Sequence, residues 1–144
     1  MAQDQKYWDP DQVDVIVSGF TMSGFADNSM IEFEEDGDRF SEVDGIDGTM
    51  TRSKKMVRKA TLTIHLQNTS NSNDILTALL ETDLSTPGGA GVVAGLIRDK
   101  NGATVYAISK MWVMALPKDE MSDKATDRAW KLRCTQYKAF LGGS

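Results

Sequence analysis

The sequence predicts a mainly β protein, a β-sandwich or barrel with one packed α-helix, and three observations carry that expectation. Apolar residues recur at every second position through most of the chain. One stretch alone has helical spacing, and turn-forming residues separate the alternating runs. Several strands, a helix, then several more strands is the order expected of a sheet closed around one core with a helix laid against it.

In 12–20, Val13, Val15 and Val17 share a face. In 30–36, Ile31 and Phe33 point one way and Glu32, Glu34 and Asp36 the other. The stretch 57–67 alternates most regularly. Ala60, Leu62, Ile64 and Leu66 interleave with Thr61, Thr63, His65 and Gln67, and its threonines and branched side chains suit a pleated, half-buried surface. A helix is expected at about 72–83, capped by Asn71 or Ser72 and carrying Asp74 in its first turn. Ile75, Leu76, Leu79 and Leu80 form its apolar stripe, and Pro87-Gly88-Gly89 ends it. Strands at 92–99 and 103–116 flank Lys100-Asn101-Gly102, a strong hairpin signal. A last long strand is expected at 124–139, with Trp130, Leu132 and Cys134 inward and Lys131, Arg133 and Thr135 outward. Residues 141–144 read as a frayed end. Length and uniform composition fit a single domain over 1–144, large enough to fold without disulfides or metal.

Charge is unevenly spread. Residues 1–49 carry 13 acidic groups against Lys6 and Arg39, whereas 50–60 hold Arg52, Lys54, Lys55, Arg58 and Lys59 with no acid. Such a chain is electrostatically self-complementary, the pattern expected when one copy's basic segment meets another copy's acidic surface. A solvated charged hairpin would look the same. The polar start lacks the apolar core of a secretory signal, and no run approaches a membrane span, so a soluble product made in the cytoplasm is expected.

Catalytic machinery is not visible. His65 lies on a polar strand face with no partner nearby in sequence, and Cys134 lies on an apolar face where an inert thiol is the default. Glycine-rich 87–95 lacks the Lys-Ser/Thr ending of a phosphate loop and reads as a linker. Zinc spacing is absent, and the acidic groups at 34–38 and 44–47 do not match a twelve-residue calcium loop. No catalytic residue, cofactor or metal is therefore expected. A sequence pI near 4.8 argues against specific DNA binding despite basic Arg52, Lys54 and Lys55.

The order of motifs resembles one family. Asp9-Pro10-Asp11-Gln12-Val13-Asp14-Val15-Ile16-Val17-Ser18-Gly19-Phe20 with Ser23-Gly24-Phe25-Ala26 is similar to the start of tail tube proteins from contractile-tailed bacteriophages. The run Val43-Asp44-Gly45-Ile46-Asp47-Gly48-Thr49-Met50-Thr51-Arg52-Ser53-Lys54, the polar stretch 67–74, and Trp130-Lys131-Leu132-Arg133-Cys134 continue the likeness to Gly142-Gly143. The fold is similar to the inner tube protein of type VI secretion. The resemblance implies homohexameric rings with a continuous inner β-barrel, stacked into a hollow tube inside a contractile sheath. It implies partners in the tail sheath, tape-measure, baseplate and tail terminator proteins, a place in the virion tail, and DNA passing through the lumen without specific binding.

On that resemblance, a long loop or hairpin at about 43–59 is expected to stack rings, through Asp44, Asp47, Thr51, Arg52, Ser53, Lys54 and Lys55. Glu32, Glu34, Asp36, Thr61, Thr63 and His65 are expected to line the lumen, the outer wall being the alternative for the acidic set. Two other functions remain open from sequence: a component of a secretion or contractile injection system, and a ligand-binding β-sandwich using Trp8, Trp112 or Trp130.

Overall fold

A computed structural model describes residues 12–26, 30–56, 58–89 and 91–142. Trp8, the 9–11 part of the opening motif, Val57 and residues 143–144 lie outside the described residues. The strands are β1 (Val13–Val17), β2 (Phe20–Thr21), β3 (Ile31–Glu35), β4 (Phe40–Asp44), β5 (Met50–Lys54), β6 (Ala60–Gln67), β7 (Val93–Asp99), β8 (Val105–Ala115), β9 (Asp127–Cys134) and β10 (Tyr137–Phe140). The helix α1 spans Ser72–Ser85.

Eight strands form one antiparallel sheet in the order β2-β1-β7-β8-β9-β6-β3, with β10 also on β8. The long strand β8 belongs to two halves. Its first part, from Val105 to Met111, pairs with β7 and β10, while Met111 to Ala115 pairs with β9. One half is therefore β3-β6-β9-β8 and the other is β2-β1-β7-β8 with β10. The halves face each other: Phe33 of β3 stacks at 4.4 Å on Tyr106 of β8 and meets Tyr137 of β10 edge-on at 5.3 Å. Val15 and Val17, Leu62 and Ile64, Ile97, Met111, Trp130 and Leu132 share one buried cluster between them. The expected sandwich-like fold is present.

The alternation of β6 is obeyed residue by residue, with Ala60, Leu62, Ile64 and Leu66 fully buried. The expected strand at 124–139 is instead two strands. Pairing is continuous, Met111 opposite Cys134 and Ile108 opposite Tyr137, yet the inward residues change parity between them. Both strands turn over together at Ser109–Lys110 and Thr135–Gln136, where Gln136 takes φ +37 and cross-strand bonds of 2.8 and 2.9 Å persist. Trp130, Leu132 and Cys134 face the core as expected, and beyond the kink Tyr137 does. The expected strand at 12–20 also divides, because Ser18 and Gly19 both adopt positive φ, the geometry of a two-residue hairpin turn. The Asn101-Gly102 hairpin is present, its turn held by the Asp99 carboxylate accepting the Asn101 N–H at 2.9 Å. Gly142 is not frayed: its carbonyl accepts the Thr104 hydroxyl at 3.0 Å.

The helix packs Leu76 and Leu80 into the core and runs two residues beyond the expected end, stopping before Pro87. Gly91, read as linker, is buried where an added Cβ would lie 2.5 Å from the Asp83 Cβ, so the returning chain passes too close to the helix for a side chain. Neither Asn71 nor Ser72 supplies the expected side-chain cap. Ser70 does so, accepting the Ser72 N–H at 3.2 Å. Ser70 also donates to the Ser23 carbonyl at 2.5 Å, and the Ser72 hydroxyl accepts the Ser23 N–H at 2.9 Å. Gly24, at φ +71, fits because a Cβ there would sit 2.6 Å from that of Ser70. Buried Asn73 completes the clasp. Its amide donates to the Gln67 and Ser70 carbonyls, both at 2.9 Å, and its oxygen accepts the Trp130 indole N–H at 2.8 Å.

Replacing Asn73→Ala strands the buried Trp130 indole N–H and takes one donor each from the Gln67 and Ser70 carbonyls, which keep their backbone bonds. Urea denaturation of the variant is expected to show a loss of about 2 kcal/mol, within the range for a buried group left without its partner.

Candidate functional site

The polar side of β3-β6-β9 is built by register. Glu32 stands opposite Thr63 and Glu34 opposite Thr61, and on the other flank Thr63 faces Lys131 and Thr61 faces Arg133. All six residues expected from the sequence to form a polar wall share this face: Glu32, Glu34, Asp36, Thr61, Thr63 and His65. His65, partnerless in sequence, has Glu32 at 3.3 Å across the strand pair. Glu32 is 65% exposed, so the pair is a surface contact.

Sequence reasoning gave Lys131 and Arg133 no role on this wall, although their outward parity was visible. The β6–β9 pairing puts both beside the threonines. Arg133 forms an ion pair with Asp36, whose carboxyl also accepts the Thr61 hydroxyl at 3.4 Å. The Arg133 hydrogen bond holds the Asp36 carboxyl below its ordinary range. The wall therefore carries mixed charge.

The expected segment 43–59 is a two-stranded hairpin that begins earlier, at Phe40, because β4 is needed to pair β5. Every residue of both strands is exposed. Its turn is closed by the Gly45 N–H donating to the Thr49 carbonyl at 2.6 Å, with Gly48 at φ +89. The Asp47 carboxylate accepts the Thr49 N–H at 3.1 Å, which lowers its pKa. Asp44 and Asp47 thus lie at the tip. Thr51, Arg52, Ser53, Lys54 and Lys55 descend from it, so the cations occupy the shaft and the root. Glu42 faces Arg52 across the strands and the Arg52 guanidinium covers the Phe40 ring at 4.5 Å, so the hairpin carries both signs of charge on its own shaft.

The root is fastened to the sheet. The Asp36 N–H donates to the Lys59 carbonyl and the Lys55 N–H to the Arg39 carbonyl, each at 2.8 Å. Arg39 grips the Glu35 carboxylate, both of whose oxygens accept its Nε, and Arg58 lies 5.6 Å over the Tyr137 ring. The Arg39 contact, strengthened by a bond from the Tyr137 hydroxyl, depresses the Glu35 pKa. Burial, then the Glu35 bond, pushes Tyr137 up to about 12.

Chemically, this arrangement offers surfaces for another protein chain. Among the described residues no group of three His, Cys, Asp or Glu side chains is placed to hold a metal ion. Among them, too, no helix is long and apolar enough to cross a membrane. Trp130, weighed for ligand binding, is buried against Asn73, and Trp112 is half-buried.

A kinked antiparallel sheet, a single clasped helix and a projecting hairpin make this a β-sandwich-like protein whose polar wall and hairpin are surface features. The chain belongs to the family of the bacteriophage PhiTE tail tube protein, whose model matches residues 15–142. It is 29% identical over 150 residues to "Structural protein ORF10" of Pseudomonas phage KPP10, covering 100% of this chain and 87% of that protein. Two solved structures share the fold at 12% identity. One is the cap of the anti-feeding prophage, described as its tube terminating cap, with TM-score 0.57 over 97% of this chain and 95% of that one. The other is the sheath/tube terminator of an extracellular contractile injection system in its extended state, with TM-score 0.60 over 95% and 99%.

Two measurements check the site's chemistry. Because the Glu35 pKa falls on folding from an ordinary value of 4.5, its contribution is present above that value and lost as pH falls through the lower folded one. Glu35→Gln is expected to flatten the stability-against-pH curve below about pH 4.5 in acid denaturation, with little change in slope near neutrality. Cys134, fully buried with burial pushing its thiol up to about 12, is expected to resist a thiol reagent at about pH 8 until the chain is unfolded.

Proposed function

We propose that copies of this chain close into hexameric rings which stack into a hollow tube, inside a contractile sheath, that conducts DNA. The observation that carries ring closure is the pair of sheet edges in the β3-β6-β9-β8 half. Among the described residues, β3 pairs only with β6, and β8 beyond Met111 pairs only with β9. This half holds an even number of strands, all antiparallel, so its two edges run in opposite directions. Neighbours related by rotation about a ring axis keep their strand sense. The β3 edge of one copy therefore meets the β8 edge of the next antiparallel, the stabler pairing, and an odd count would have forced a parallel one.

Closed in this way, the six polar residues with Lys131 and Arg133 line the inside as a lumen. The three carboxylates Glu32, Glu34 and Asp36 outnumber the two cations per copy and so leave the wall net negative, which repels phosphate. A conduit of this kind passes DNA without holding it. Before DNA enters, the same lumen holds the tape-measure protein, while baseplate and terminator proteins meet the two ends. The chain serves in the virion tail after assembly in the host cytoplasm. Tail-tube family membership favours this reading over a component of another contractile injection system, whose structures share the fold at low identity.

Stacking falls to the hairpin, whose strands are exposed at every residue and present Asp44, Asp47, Thr51, Arg52, Ser53, Lys54 and Lys55. Negative-stain microscopy of concentrated protein tests the whole: rings or tubes with a central hole are expected, and persistent monomers even with baseplate present would overturn it. Reversing Arg52→Glu, Lys54→Glu and Lys55→Glu together is expected to leave the circular dichroism of the monomer unchanged and to stop tube growth. Normal tubes from that variant would remove these cations from the stacking contact.

A further inference from the structure

The hairpin's receptor on the next ring follows from where the fold places its loops. The hairpin leaves the sheet at the Ala60 end of β6 and the Cys134 end of β9, opposite each other in register. At the other end of the same strands, Gln67 pairs with Asp127, directly beside the loop joining β8 to β9. Eight residues of strand separate the two ends by roughly 26 Å at about 3.3 Å per residue. Hairpin and loop therefore face opposite ways along the strands.

Both ends expose large apolar side chains without cover. Val43, Ile46 and Met50 surround the hairpin tip at 64%, 110% and 62% exposure, and Leu116 and Met121 in the loop reach 63% and 87%. The charged groups between Ser41 and Thr51 are all acidic (Glu42, Asp44 and Asp47). The loop carries both signs, Lys118 and Lys124 beside Glu120 and Asp123, with Asp119 taken up by Arg128, and neither lysine is in an ion pair among the described residues, so each can meet a tip carboxylate locally. Nor is the loop slack. The Thr126 hydroxyl donates to the Glu120 carbonyl at 2.8 Å, Arg128 pairs with Asp119 at 3.0 Å, and the Asn68 N–H bonds the Thr126 carbonyl at 2.9 Å. A docking surface is thus held in shape.

We infer that the 116–125 loop is the receptor for the hairpin tip of a second copy in the adjoining ring. Ile46 and Met50 pack on Leu116 and Met121, and Asp44 and Asp47 lie against Lys118 and Lys124. This rests on the tube reading above. Because donor and receptor are different surfaces on opposite ends, the contact is head-to-tail and propagates without closing on itself.

Disulfide trapping tests it, since buried Cys134 does not compete. Ile46 and Met121 are both exposed, so Ile46→Cys and Met121→Cys should leave folding intact. In assembled tubes under mild oxidation, the double variant is expected to give a ladder of covalent oligomers on non-reducing gels. An equal mixture of the two single variants is expected to stop at dimers, and each single variant alone to remain monomeric. Tubes that form normally in the microscope but yield no cross-link, or yield it only from Ile46→Cys alone, would overturn this receptor while leaving the tube reading intact. Absence of rings or tubes from the unmodified protein would overturn both.

Discussion

The pairing of β6 along its length, with β9 throughout and β3 over its first half, is the constraint on which the rest of the molecule depends. Its strict two-residue period gives the strand one wholly apolar and one wholly polar face. A slip of one residue would carry Leu62 and Ile64 to water and Thr61 and Thr63 into the core. Each buried aliphatic side chain contributes about 1.5–3 kcal/mol relative to exposure, so a slipped register loses several such contributions at once. That penalty positions the polar wall: once β6 is fixed, Glu32, Glu34, Lys131 and Arg133 have no freedom over which side they occupy.

The clasp around Asn73 fixes the second layer in the same sense. Three segments distant in the chain meet there: the Ser23-Gly24 loop, the approach to the helix from Gln67, and Trp130 of β9. The clasp's innermost bond, from the Trp130 indole N–H to Asn73, is buried, where an unmet group would cost about 1–3 kcal/mol. The helix start therefore cannot drift over the sheet. Motifs that read in sequence as separate turn-and-strand signals act in the structure as parts of one joint.

Much of this was legible because it is local. The β6 alternation, the helical stripe of Leu76 and Leu80 and the Asn101-Gly102 turn are each decided by neighbours within a few positions. What was hidden depends on contacts far apart in the chain. The kink at Thr135–Gln136 is shared with Ser109–Lys110 on β8, and the change of parity from Cys134 to Tyr137 and from Ile108 to Met111 identifies it only once the two strands are seen paired. His65 found Glu32 across 33 positions, and Asn73 found Trp130 across 57. Of the wall, the six residues with a clear polar parity were found. Lys131 and Arg133 shared that parity, but only the β6–β9 register shows that their charge belongs beside the acids.

The hairpin raises a different physical question, since an isolated pair of strands is at best marginally stable in water. Ordering each residue costs roughly 1–2 kcal/mol of backbone entropy, and β4 and β5, with no buried residue, offset little of it by burial within the subunit. What holds the segment is concentrated at its root, where Arg39, Glu35, Arg58 and Tyr137 secure its exit from the sheet, and along its shaft, where Arg52 lies on Phe40. A rigid root with an apolar, uncovered tip lowers the entropy lost when the tip meets a partner, because the direction of approach is already set. The same features would be a liability in a protein that functions alone, where a projecting strand pair with exposed Val43, Ile46 and Met50 invites unwanted association. On the tube reading proposed above, self-association is the function. On that reading the sheet core presents edges and hairpin in fixed relation, so that each copy would add to the last at a single geometry.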